Sequence, residues 1–366
     1  MNKPSKCSII VQIRFTMYSR DFKEPPQQVI HKGKAEFGTF RGVSSKIDIR
    51  DLRSPYANLP LPSFLTNIFI KSNLYYFFNL KNYIGVTGFI DFKVFGIANI
   101  ILWNKESGKK YSYNVVMPLR RRFVPKKTTD GSCTSFWSKR HIRISWGRQH
   151  EHHSLSFRLK GDKLRPSANG FIYSSIQDSM HCDLMFVNPS PVKSRCRATW
   201  LTTMQINGHI KIDSEDSEDS EGTALMLLTR AYHGLKNLTS IACAMGTIGV
   251  KEFVFELTTS TLDAADSDNY NDNALIINGE ATALPPVYMT HSFGKDKQWI
   301  IQDTESMIDL TFNPVSISRR EINVFPSKTA TTVIYGLFDG VLLDKNGEKL
   351  ILKKIPGLIH ENMMRL

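Results

Sequence analysis

The 366-residue chain is 41% hydrophobic and 11% aromatic, which excludes a disordered or collagen-like polymer and leaves room for two domains. Its 47 Lys and Arg against 34 Asp and Glu give a formal charge of +13, which suits anionic partners and also serves plain solubility. No run reaches the roughly 18 unbroken apolar residues of a membrane helix, so no transmembrane segment is expected.

In chain order, Ile9 to Arg14 is too short an apolar stretch for a signal peptide and reads as a first strand. Five cysteines, Cys7, Cys133, Cys182, Cys196 and Cys243, are an odd number without a CxxC pair. That pattern argues against a disulfide framework and a zinc site, and a cytoplasmic location with no cofactor or metal is expected. The apolar region Phe64 to Trp103 is interrupted by Lys71, Asn73, Asn79, Lys81, Asp91 and Lys93, so it reads as several strands.

Helix signals are nearly absent, whereas His141 to Trp146 and Ser154 to Leu159 alternate polar and apolar residues as half-buried strands do. Turn chemistry recurs at Asp130-Gly131, Asn207-Gly208, Asn278-Gly279, Asp339-Gly340 and Asn346-Gly347, where a type I′ turn tolerates positive φ. The clearest hairpin is Tyr335 to Leu352 folded across Asn346-Gly347, within a closing series of short strands from Trp299 onward. Lys160 to Val192 is rich in Gly and Pro, which places a division into domains 1–175 and 176–366. Asp213 to Glu221 is a Ser-Glu-Asp repeat that cannot bury a face, so an acidic, disordered insert is expected over 211–222.

Taken together, Asn278-Gly279-Glu280, Trp299-Ile300-Ile301, Ile308 to Pro314 and Leu358-Ile359-His360-Glu361 follow an order and spacing that resembles the family known as domain of unknown function 2804. Upstream, Gly33 to Gly42, Tyr75-Tyr76-Phe77-Phe78 and Gly88 to Phe92 look like its N-terminal half, so the resemblance runs from about Glu24 onward. The family is similar in turn to carotenoid hydratases and AttH-like proteins. That resemblance implies an all-β chain of two tandem lipocalin-like antiparallel barrels, or strongly curved sheets, enclosing an apolar small molecule such as a lipid or isoprenoid. A hydratase or isomerase acting on an apolar alkene is the alternative, yet the chain departs from relatives at Leu228 to Gly234 and Ser240 to Met245, where an acid and tryptophans are missing.

Candidate residues each carry two readings. Asp91 is either an acid inside a barrel or a partner of Lys93. Tyr232 and His233 fall where relatives place polar pocket residues, or else form a turn ending at Gly234. Tyr76, Phe78, Trp103, Trp146, Trp200 and Trp299 are candidate ligand contacts or core side chains. His150-Glu151-His152-His153 has metal-like spacing without a third ligand and also suits an exposed turn. The basic region 105–197, with Arg120 to Arg122, Lys139-Arg140, Arg195 and Arg197, suits a polyanion or anionic membrane, or a merely solvated face. Phe123, Phe136, Trp137 and Trp146 lie within it as stacking platforms, but no motif for a specific nucleic acid is present. Polar residues of the closing strands, Asp309 among them, read as scaffold.

Overall fold

The computed structural model describes residues 17–56, 61–93, 95–118, 123–136, 139–147, 152–163, 165–175, 178–213, 219–324 and 327–365. The expected first strand, Cys7, Arg120 to Arg122, Trp137, His150, Glu151 and residues 214–218 of the acidic insert lie outside these. Among the described residues the fold is all-β, with one short helical segment formed by Ser63–Thr66 and Asn67–Phe69.

Among the described residues, two large, curled and mainly antiparallel sheets carry most of the chain, beside a two-stranded one formed by Ile30–His31 and Lys34–Ala35. The first has the order Lys110–Met117, Gly96–Asn104, Tyr83–Asp91, Ile70–Leu80, Ser220–Tyr232, Cys196–Ile212, Ala168–Ser174, His152–Leu159, Arg140–Gly147 and Asp130–Thr134, with Cys182–Pro189 also paired to Cys196–Ile212. The second runs Glu280–Ala283, Ala274–Ile277, Lys251–Ser260, Lys236–Ile248, Lys349–Arg365, Ser327–Leu343, Ile308–Val324, Trp299–Gln302 and Tyr288–His291. The chain passes from the first sheet to the second between Tyr232 and Lys236.

Period-2 alternation explains how three cores arise from two sheets. In Ile70–Leu80, Leu74, Tyr76 and Phe78 point into the first sheet's interior, while Tyr75 and Phe77 point out of it. Ala242, Phe255, Ile334 and Ile359 fill the second interior, and their strand neighbours Ile241, Cys243, Val254, Val333, Tyr335 and Leu358 point back toward the first sheet. The two outward faces form a shared apolar seam, so strands there are buried on both sides. This is why Tyr75 to Phe78 reads as an unbroken aromatic run rather than an alternating one.

The turn signals divide into two kinds. Asn278 and Gly279, with φ of 48° and 76°, form the two-residue turn between Ala274–Ile277 and Glu280–Ala283. Asp344 to Glu348 closes the expected hairpin, with Leu343 opposite Lys349 and the Asp344 carboxylate accepting the Asn346 and Glu348 amides at 2.8 and 2.9 Å. By contrast, Asn207-Gly208 lies inside a 17-residue strand, where the Gly208 Cα faces the Phe171 carbonyl closely enough that no side chain fits. Gly340, at φ 133°, sits beside a register shift between Phe338 and Gly340. The last three strands are each 17 residues long rather than short, since each crosses both the seam and its own interior.

Candidate functional site

A polar cavity opens on the seam between the sheets, with room of about 50 Å³, enough for about three to five water-sized molecules. Every wall strand contributes alternate residues: Asn73 and Tyr75; Arg197 and Thr199; Leu227, Thr229, Ala231 and then His233; Asn237, Thr239 and Ile241; Glu256 and Thr258; His360, Asn362 and Met364. Residues of the opposite phase on these strands, Leu74, Ala198, Leu228, Leu257 and Ile359, fill the interiors. The same alternation that builds the cores therefore delivers these polar groups to one place.

Arg197 organises the charge. Its Nη1 donates to the Asp263 carboxylate at 2.7 Å, and its Nη2 lies 3.3 Å from Asp272 Oδ1, an ion pair without hydrogen-bond alignment that leaves Nη2 and Nε without a hydrogen-bond partner. Asp272 is further held by Asn188 Nδ2 at 2.5 Å and by the Thr199 hydroxyl at 2.9 Å. One guanidinium thus serves two carboxylates, and the third carboxylate, Glu256, receives only the Thr258 hydroxyl on Oε1. Its Oε2 is buried without a partner. Burial, seconded by the nearby negative charge of Asp272, pushes the Glu256 carboxyl up to about 8. At neutral pH it carries a proton.

Two imidazoles face the same space. Burial, aided by the positive charge of Lys71, lowers His233 to about 3, and burial lowers His360 to about 4, so both are neutral. Their Nδ1 atoms have no hydrogen-bond partner. His360 is held by ring contact with Tyr75, centroids 4.4 Å apart, and the Tyr75 hydroxyl accepts from Asn362 Nδ2 at 3.0 Å. The backbone of His233 is fixed at both ends, its amide donating to Phe69 and its carbonyl accepting the Tyr56 hydroxyl. A neutral acid and two neutral bases around a small enclosed space can move protons to and from a bound molecule.

Of the residues singled out from sequence, the structure brings His233 to this cavity. Tyr232, its neighbour, points the opposite way into the first interior and donates to the Ile49 carbonyl at 3.0 Å. Asp91 is buried at a strand end, where it accepts the Lys93 amide at 2.8 Å and lies 3.3 Å from the Lys93 ammonium. Tyr76 and Phe78 sit in the first interior, one residue out of phase with the cavity. Trp146 and Trp200 meet edge to face there, 6.0 Å apart. Trp103 packs on Tyr335 in the apolar part of the seam, and Trp299 lies in the second interior with its ring nitrogen donating to the Lys295 carbonyl at 3.2 Å.

Elsewhere, His152 and His153 lie on one strand but on opposite faces, and among the described residues no group of three or more His, Cys, Asp or Glu is placed to hold a metal ion. Cys133, Cys182, Cys196 and Cys243 are free and buried. Among the described residues no helix is long and apolar enough to cross a membrane. Asp309 is exposed and accepts from Gln302 at 3.0 Å. Arg197, counted from sequence as part of a basic region, is buried in the cavity wall.

Glu256, Asp272, His360 and Asn73 escaped the sequence reading. A signal was present: Glu256 interrupts Phe253-Val254-Phe255-Glu256-Leu257, and His360 interrupts Leu358-Ile359-His360. A single polar residue in a strand buried on both faces must either find a partner or line a cavity. His360, on a closing strand, lines this cavity.

Two curled antiparallel sheets in tandem, each around its own core and sharing a polar cavity on the seam, define a lipocalin-like β protein. The chain belongs to the family described as domain of unknown function (DUF2804), which matches residues 20–366. Among solved structures it is similar to kievitone hydratase from Nectria haematococca, at 9% identity, with 81% of this chain and 88% of that one covered and a TM-score of 0.37. It is also similar to Pseudomonas aeruginosa OccK2 (OpdF) in complex with glucuronate, at 7% identity, 81% and 96% coverage and a TM-score of 0.12. Neither overlap is close enough to carry a functional argument. No curated protein matches the chain.

Proposed function

We propose that the protein binds a small unsaturated molecule at the cavity between its two sheets and transfers protons to it, adding water to an alkene or isomerising it. The observation that carries this reading is Glu256, a buried carboxyl that stays protonated near neutral pH and has one oxygen free beside two neutral imidazoles. An alkene is a weak base and needs an undissociated acid in a site that excludes bulk water. In hydration, Glu256 gives its proton to one alkene carbon. Water adds to the other carbon and passes its proton to His233 or His360, and that proton returns to Glu256 to close the cycle. In isomerisation an imidazole removes a proton from the substrate instead of from water.

The narrow space suits the reacting end of a slender apolar ligand plus one water. Asp272 and Asp263 are occupied by Arg197, which leaves Glu256 as the cavity carboxyl free to change protonation.

The test uses a panel of isoprenoid and aryl alkenes incubated with the protein in ¹⁸O-labelled water or in D₂O, with products followed by mass spectrometry. Label incorporation that falls at least about 100-fold in a folded Glu256→Gln variant is the expected result. Undiminished incorporation in that variant sinks the assignment of the acid. Retention of an apolar molecule in native mass spectrometry, without any label incorporation, would leave a carrier that binds and does no chemistry.

A further inference from the structure

Far from the cavity, the outward face of the first sheet carries a second ordered array. Strand pairing sets His141, Arg158, Asn169 and Lys211 in one row across four strands, and Arg143, Ser156, Phe171 and His209 in the next. Ser145, Ser154, Tyr173 and Asn207 form a third row. The residues between them, Ile142, Ile144, Leu155, Phe157, Ile172 and Ile210, point into the interior. Phe171 and Tyr173 are thus neighbours in a column on an otherwise polar face, 43% and 40% exposed, their rings stacked at 5.5 Å and 27°.

Two large aromatic rings side by side in water run against the burial preference of such residues, and nothing in the fold requires them there, since the interior side of that strand is already filled. Cations surround them: Arg143 and Arg158 are exposed, and Lys211 lies in the adjoining strand. Among the described residues, Asp213 accepts from the Ser167 amide and hydroxyl at 2.8 and 3.1 Å, Asp219 is engaged by His209 at 3.0 Å, Asp162 by Arg140 at 3.1 Å, and Glu221, opposite Asn207, bounds the face at one edge.

We propose that this face is a binding site for single-stranded nucleic acid of relaxed sequence preference. The two rings, 5.5 Å apart and stacked on each other, leave their outer faces for bases, with Arg143 and Arg158 flanking them for the phosphates. A duplex hides its base faces and gains nothing from the aromatic pair. The rings involved differ from those suggested by the sequence: of those, Phe123 and Trp146 are buried, Phe136 is exposed on a different segment, and Trp137 lies outside the described residues.

The experiment is fluorescence anisotropy of the full chain with a labelled oligo-dT 12-mer at low salt, repeated with rising salt and with an unlabelled duplex competitor. Expected are saturable binding, a linear fall of log affinity with log salt, and a loss of about ten-fold or more in F171A/Y173A. Arg143→Ala and Arg158→Ala should each reduce the salt slope. All four side chains are exposed, so circular dichroism should report an unchanged fold. Absence of oligo-dT binding, equal affinity in F171A/Y173A, or equal competition by the duplex or by anionic phosphatidylserine vesicles would each overturn the proposal.

Discussion

The interiors of the two sheets and the seam between them are built by the same strands, yet they carry opposite chemistry. Trp200 and Leu228 face an interior in which packing alone decides stability, while Arg197 and Thr229, on the same two strands, face the cavity. An interior position tolerates any apolar residue of the right volume. A seam position near the cavity holds a charge that has left water and must be matched by other charges drawn from distant parts of the chain. Arg197 finds Asp263 and Asp272 some seventy residues later, across the change of sheet.

The largest expected break in this comparison is Arg197→Met. It keeps the volume but strands two carboxylates, so it should cost about 3–5 kcal/mol in urea unfolding. Leu228→Ala, in the adjacent interior, should cost a similar 2–5 kcal/mol but with no dependence on pH. If Arg197→Met lost no more than an exposed substitution does, the seam would not be a charge-matched site.

Glu256→Gln should have a comparable effect, about 4–5 kcal/mol across the whole titration, and its sign depends on pH. The folded carboxyl titrates at about 8 against an ordinary value of 4.5, so the folded state holds a proton that the unfolded chain releases. The stability this provides is complete below 4.5 and is lost as pH rises to 8. Glutamine stays neutral throughout, so the variant should gain on the wild type between pH 5 and pH 9 in urea midpoints. Parallel curves would show that Glu256 is ionised in the fold. His233→Gln should act on the opposite limb. Its imidazole falls from 6.5 to about 3 on folding, so the stability linked to it is full above 6.5 and drains as pH falls. The variant should lose roughly 2 kcal/mol less than the wild type between pH 7 and pH 5.

Sequence periodicity made the all-β class and the Asn346-Gly347 hairpin legible, because both depend on contacts between near neighbours. The tandem lipocalin-like form came from the resemblance carried by Asn278-Gly279-Glu280 and the closing Leu358 to Glu361. Phase was not legible for the aromatic run Tyr75 to Phe78: when both faces of a strand are buried, no polar residue marks which side is the interior. Nothing in the sequence therefore sets Tyr76 and Phe78 apart from Tyr75. The cavity was hidden for a different reason. Its members come from six strands and two connecting segments spread between Asn73 and Met364, and their meeting depends on how the sheets face each other.

Asp91 supplies the smallest predicted effect and the sharpest control. It is as buried as the cavity acids, but its carboxylate is taken up locally by the amide and ammonium of Lys93, two residues away. Lys93 is one-third exposed, so the ion pair contributes little in solvent, and the amide hydrogen bond carries most of the value. Asp91→Asn keeps an oxygen for that amide and should cost about 1 kcal/mol in urea unfolding. It should leave label incorporation by the cavity untouched, since Asp91 does not line it. A loss of incorporation comparable to that of Glu256→Gln would mean that proton chemistry is not confined to the seam. The contrast between a locally satisfied carboxylate and one left with a free oxygen would then no longer locate the acid.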